Sequence, residues 1–162
     1  MKEQKLFADG SVDTQLKIGY GAYLLLTDVG HSLPILKLKN KVVKTRRFEN
    51  TSSTKLELQT LLWALEDIQT VEEKITIYTD SQNIVRLPAR RKRLEENDYY
   101  TSKNKLLRNH ELYQEFFRIT DSLDFSIVKV RGHRVSSDKN EIDQFFSLVD
   151  KASRRALRER RR

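Results

Sequence analysis

The 162-residue sequence has no cysteine, five glycines, two prolines and one tryptophan. Without cysteine there is no disulfide, no thiolate metal site and no cysteine nucleophile. Glycine falls well below its usual share of about 7%. The few present therefore have local jobs: Gly10 after Asp9, Gly19 and Gly21 in a strand, Gly30 in a turn and Gly132 before His133. No apolar run approaches the roughly 18–20 residues that span a bilayer, and Met1–Phe7 lacks a signal-peptide core. The expected compartment is cytoplasmic, with no membrane partner. No internal repeat, low-complexity stretch or interdomain linker stands out, so residues 1–162 read as a single domain, monomeric by default.

Charge is abundant and unevenly placed. The chain carries 31 basic against 23 acidic residues, a net charge of +8, with 38% apolar residues gathered in blocks. Seven of the basic residues lie in the segment 151–162, which has one acid, and the first 150 residues are close to neutral. A second basic patch is Arg86, Arg90, Arg91, Lys92 and Arg93, and a third runs along Lys37, Lys39, Lys41, Lys44, Arg46 and Arg47. A solvated face explains any one such run. Three in one small domain point to a polyanion, because lysine and arginine displace counterions from phosphates.

Hydrophobic periodicity predicts the elements. Lys5–Asp9 is a short apolar strand ending in an acid, Ile18–Leu26 a buried strand, Asp28–Gly30 a turn and Pro34–Phe48 a half-exposed third strand. Thr51–Thr54 supply N-caps for a helix carrying Leu58, Leu61, Leu62, Leu65 and Ile68. Ile75–Thr79 is a strand followed by Asp80, with Ser81 as a cap for the next helix, which Pro88 is expected to interrupt. Leu106–Leu123 reads as a helix with Leu112, Phe116, Ile119 and Leu123 on one face, Phe125–Val130 as a fifth strand and Asn140–Arg158 as a last helix. The order β-β-β-α-β-α-α-β-α predicts an α/β fold. Its mixed five-stranded sheet would join an antiparallel meander to parallel βαβ strands, flanked by helices.

Four acids look misplaced for mere solvation. Asp9 and Asp80 end apolar strands that a βαβ connection makes parallel, and ligands gather at the carboxyl ends of such strands. Glu57 borders the apolar stripe of its helix, and Asp150 lies beside Val149 on the last helix. Taken singly, the strand-end acids are ordinary turn formers and the helix acids ordinary surface groups. Together they would repel one another and a phosphate alike. Such a cluster makes sense with divalent cations, and hard oxygen donors select Mg²⁺ or Mn²⁺. Two such ions about 4 Å apart can activate water and stabilise the leaving oxygen of a phosphodiester.

The sequence resembles the type 1 ribonuclease H family over about Lys5–Arg158. The resemblance rests on Asp9-Gly10-Ser11 ahead of Gly19-Tyr20-Gly21-Ala22, then Leu56-Glu57-Leu58 in a helix and Thr79-Asp80-Ser81-Gln82 after a strand. Arg131-Gly132-His133 before a final Asp-bearing helix completes it. It implies an RNase H-like fold and endonucleolytic cleavage of the RNA strand of RNA–DNA hybrids, leaving 5′-phosphate and 3′-hydroxyl ends. Two Mg²⁺, or Mn²⁺, would be held by Asp9, Glu57, Asp80 and Asp150. His133 would assist proton transfer or product release. Gly10, Ser11, Gln82 and Asn109, with Arg90 and Arg91, would contact substrate.

The departures are local. Val12–Lys17 has no glycine, Ser52-Ser53-Thr54-Lys55 precedes the helix glutamate, and no tryptophan-rich basic handle is present, so Arg90–Arg93 would carry part of its electrostatic role. Asp143 and Asp150 both follow His133 on the last helix. The Asp150-Lys151-Ala152-Ser153-Arg154 pattern favours Asp150, with Asp143 as the alternative. Two other readings stand beside the hybrid nuclease: a binding module of the same fold that has lost catalysis, and a related nuclease acting on DNA.

Overall fold

The computed structural model describes residues 3–27, 43–68, 74–131 and 140–160. The turn expected at Asp28–Gly30, the first part of the expected third strand, Lys37, Lys39, Lys41, Gly132 and His133 lie outside the described residues. The elements are β1 (Glu3–Asp13), β2 (Ile18–Leu26), β3 (Lys44–Glu49), α1 (Ser53–Ile68), β4 (Lys74–Thr79), α2 (Gln82–Glu96), α3 (His110–Thr120), β5 (Phe125–Lys129) and α4 (Glu141–Glu159). Their order is the one expected. The five strands form one sheet in the order β3-β2-β1-β4-β5, antiparallel on the β3-β2-β1 side and parallel from β1 through β4 to β5. Among the described residues no helix is long and apolar enough to cross a membrane.

The two-residue period of the strands splits the core between the two faces of the sheet. Leu6, Ala8, Tyr23, Ile75 and Ile77 point to one side, where they pack under Leu58, Leu61, Leu62 and Leu65 of α1 with Ile84 and Leu87 of α2 and Phe116 of α3. Phe7, Ala22, Leu24 and Tyr78 point to the other side and meet Phe145, Phe146 and Val149 of α4. Phe7 stacks on Tyr78 at 4.7 Å between ring centroids and leans on Phe145 at 5.6 Å. Full burial of side chains this size contributes about 1.5–3 kcal/mol each, so α4 is held mainly by these three rings and Val149. Trp63 is half-buried, edge-on to Tyr23 and Phe48.

Three expectations need correction. Asp9 does not end its strand. β1 continues to Asp13, because its antiparallel ladder with β2 runs on to the Asp13–Ile18 pair, past the last β1–β4 pair at Phe7–Tyr78. Pro88 does not break α2 either. It sits on the exposed side, and burial of Ile84, Leu87 and Leu94 on the opposite side carries the helix past it. The third helix starts at His110, not Leu106. Tyr99, Leu107 and Thr101 are tied into a compact loop by main-chain bonds, with Leu106 bridged to Tyr100, and Leu106 is exposed. The buried face of α3 is Tyr113, Phe116, Phe117 and Thr120, with Leu112 and Ile119 at its margin.

Candidate active site

The site forms where β1 outruns β4. Past Phe7, β1 loses its parallel neighbour, since β4 ends at Thr79 and the chain turns at Asp80 into α2. Asp9 and Asp80 therefore face the gap left at the carboxyl edge of β4. Helix α1 reaches the same place because the strands beneath it are bare. Gly10 and Gly19 lie under Leu56, where an added Cβ would come within 2.9 Å and 2.7 Å of its Cδ2, and Gly21 lies under Thr60. That close approach brings Glu57 to the rim of a small hollow lined by Ala8, Asp9, Glu57, Thr60, Leu61, Thr79, Asp80 and Ile84. From the other face of the sheet, α4 delivers Asp150. The helix is pinned beside β1 by the fully buried Ser153, whose Oγ lies 3.0 Å from Ser11 Oγ and donates to the Asp150 carbonyl at 3.0 Å.

The electrostatics tie all four acids together. Burial, then the negative charge of Asp80, pushes the Asp9 carboxyl up to about 8. The Gly10 backbone hydrogen bond opposes this, while Asp150 adds to the rise through its charge and through a hydrogen bond between the two carboxyls. Glu57 is also raised, first by burial and then by Asp80, against a hydrogen bond from Ser81. Asp150 forms an ion pair with Arg154 Nε at 3.0 Å.

Asp143 has a different setting. It forms a capping box with Asn140 at the start of α4, accepting from the Asn140 backbone while its own N–H donates to Asn140 Oδ1 at 2.8 Å.

The donor set suits a hard divalent cation. All four donors are carboxylate oxygens, and the like charge facing half-buried Asp9 is what a cation would neutralise. Among the described residues, no three acidic or histidine side chains converge into a ready-made cage.

The other expected residues are dispersed. Gly10 packs beneath Leu56, and Ser11 bonds Ser153. Gln82 opens α2, its Oε1 accepting from Lys129 Nζ at 2.6 Å. Asn109 is the N-cap residue of α3 without a side-chain cap bond. Arg90 lies over the Tyr113 ring and donates to Asn83 Oδ1, whereas Arg91 is held by Glu95 and by both oxygens of Asp121. In the basic C-terminal segment, Arg160 pairs with Asp13 at 2.5 Å, both largely buried, and Arg155 pairs with Glu159. The Arg160–Asp13 pair does not show in the sequence, because it depends on how α4 lies against β1, whereas Arg155–Glu159 has the i,i+4 spacing of a helical ion pair.

Comparison with known proteins agrees with this architecture. A curated ribonuclease H from Caldicellulosiruptor saccharolyticus is 27% identical over 158 residues, covering 95% of this chain and 100% of that protein. The solution structure of the PFV RNase H domain superposes with a TM-score of 0.72 at 15% identity, over 95% of this chain and 93% of that one. A crystal structure of a type 1 RNase H with the type 2 active-site motif gives a TM-score of 0.70 at 15% identity, over 95% and 71%. The sequence matches the RNase H family over residues 1–154. With that match spanning nearly the whole chain and the sheet order and helices in agreement, the chain belongs to the RNase H family of ribonucleases.

Proposed function

We propose that this chain hydrolyses the RNA strand of RNA–DNA hybrids at the Asp9–Glu57–Asp80–Asp150 cluster, leaving 5′-phosphate and 3′-hydroxyl ends. The observation that carries the reading is a chain of mutually acting carboxylates on β1, α1, the end of β4 and α4 in a basic protein: Asp80 and Asp150 act on Asp9, and Asp80 acts on Glu57. Bound there, two Mg²⁺ or Mn²⁺ ions would activate water and stabilise the departing 3′-oxygen. The carboxylates would hold the cations and, without them, repel a substrate phosphate. Asp9, whose carboxyl is pushed up by burial and by Asp80 and Asp150, gains from that neutralisation. His133 assists proton transfer or product release.

Selection of the RNA strand comes from its 2′-hydroxyls in the wide, shallow minor groove. Ser11, Gln82 and Asn109 are the proposed polar contacts. Arg90 and Arg91, with exposed Arg93, on α2 and exposed Arg46 and Arg47 on β3 are the proposed contacts for the phosphates of the DNA strand. The test is incubation of labelled hybrid, duplex DNA and duplex RNA with Mg²⁺ or Mn²⁺. The hybrid alone should be cut, within its RNA strand. Asp80→Asn should lose cleavage by about a thousandfold or more while still binding hybrid and melting at nearly the same temperature. A hybrid left intact at protein concentrations that bind it would refute the proposal.

A further inference from the structure

Ser81 stands at a junction the nuclease reading leaves unused. It is 4% exposed and precedes the first turn of α2. Its Oγ accepts a hydrogen bond from the Ile84 backbone N–H at 3.2 Å, closing the helix N-cap, and donates to Glu57 Oε2 at 2.6 Å. Its own N–H donates to Thr79 Oγ1 at 3.1 Å, and its carbonyl accepts from Val85 N–H at 3.1 Å. A serine hydroxyl has one proton and two lone pairs. With a lone pair turned to the helix N–H, its single proton is aimed at the glutamate. One side chain thus ties the end of β4, the start of α2 and a carboxylate on α1.

We infer that Ser81 is a positioning residue that holds Glu57 in the orientation needed to bind the metal. The inference rests on the reading of Glu57 as a metal-binding carboxylate. Glu57 reaches the site on a long side chain with three rotatable bonds, and the same α1 surface offers it open solvent. The Ser81 hydroxyl limits that freedom by fixing Oε2 at the rim of the hollow that Asp9 and Asp80 also line. Hydrogen-bond partners of ligating carboxylates typically change metal affinity by about 10–100-fold when removed.

The test uses the full chain and two substitutions. Glycine is nearly as good an N-cap as serine, so Ser81→Gly removes the hydroxyl at little cost to α2, whereas Ser81→Thr keeps both of its bonds. Calorimetric titration with Mn²⁺ or Mg²⁺ should show about tenfold weaker binding in Ser81→Gly and affinity within about twofold of the parent in Ser81→Thr. With hybrid substrate, Ser81→Gly should lower kcat at subsaturating metal and leave KM for the hybrid unchanged, a split that general loosening of the fold would not produce. A double-mutant cycle keeps the question answerable if Ser81→Gly is less stable. On a Glu57→Gln background, Ser81→Gly should have no further effect on metal affinity. Equal metal affinity in Ser81→Gly and the parent, or an additive loss on the Glu57→Gln background, would overturn the inference. Unchanged metal affinity in Glu57→Gln alone would refute Glu57 as a ligand, a separate failure visible in its own arm of the experiment.

Discussion

Neutralising Asp9 should make the metal-free protein more stable at alkaline pH. In the folded chain Asp9 holds its proton from its ordinary value of 3.8 up to about 8, because it is buried and faces Asp80 and Asp150. An unfolded aspartate has lost that proton over the same window. The native state then binds more protons than the unfolded state, so stability is full below about pH 4 and is lost as pH rises towards about pH 8. At about 1.4 kcal/mol per pKa unit, the rise caps the loss at about 6 kcal/mol. Arg154, 3.0 Å from Asp150, offsets part of the repulsion, and side-chain rearrangement reduces it further, so the expected loss is about 2–4 kcal/mol. Asp9→Asn keeps the shape and removes the ionisation.

Urea unfolding in chelator from about pH 5 to about pH 9 should show parent stability falling by that amount while the variant's curve stays flatter, so the two cross. Saturating Mg²⁺ should restore the parent at the alkaline end by mass action and leave Asp9→Asn much less affected. Parallel curves for the two proteins across the whole range would refute the reasoning.

The packing that brings α1 to the site makes its own prediction: Gly21→Ala forces a Cβ onto Thr60 and should cost about 1–3 kcal/mol in thermal or urea unfolding. An unchanged melting temperature would mean that α1 does not rest on bare strand there. The Arg160–Asp13 pair, with side chains 10% and 21% exposed, should show a coupling energy of about 1–2 kcal/mol in a double-mutant cycle with Asp13→Ala and Arg160→Ala. Zero coupling would return Arg160 to the solvated charge that the sequence alone suggests.

Much of the fold is legible in the chain because each element carries its own period. The apolar run of β2 has the expected bounds, Ile18 and Leu26, and Leu58, Leu61, Leu62 and Leu65 lie on the buried face of α1 as expected. The misreadings share a cause: partners distant in sequence. Asp9 looks like a strand end until the β2 ladder extends β1 past it. Pro88 looks like a helix stop until Leu87 and Leu94 are seen seated in the core. Leu106 fits a helical pattern, yet the bonds of Tyr99 and Thr101 to Leu107 and Lys105 pull its segment into a loop.

The candidate site divides the same way. Residue type and spacing nominated Asp9, Glu57, Asp80 and Asp150, because oxygen-rich acids flanked by apolar runs are informative wherever they occur. Asp143 and Asp150 lie on one helix, and sequence pattern could only prefer one of them. The structure engages Asp143 in the capping box with Asn140 and sets Asp150 against Asp9. Local periodicity and side-chain chemistry were enough for the element order and for nominating the acids, while the split of the core between the two sheet faces came from the folded chain. That bare glycines admit α1, that Ser81 reaches Glu57 and that Arg160 closes on Asp13 became visible with the folded chain. Each of those depends on distances between residues far apart in the chain, which no local pattern encodes.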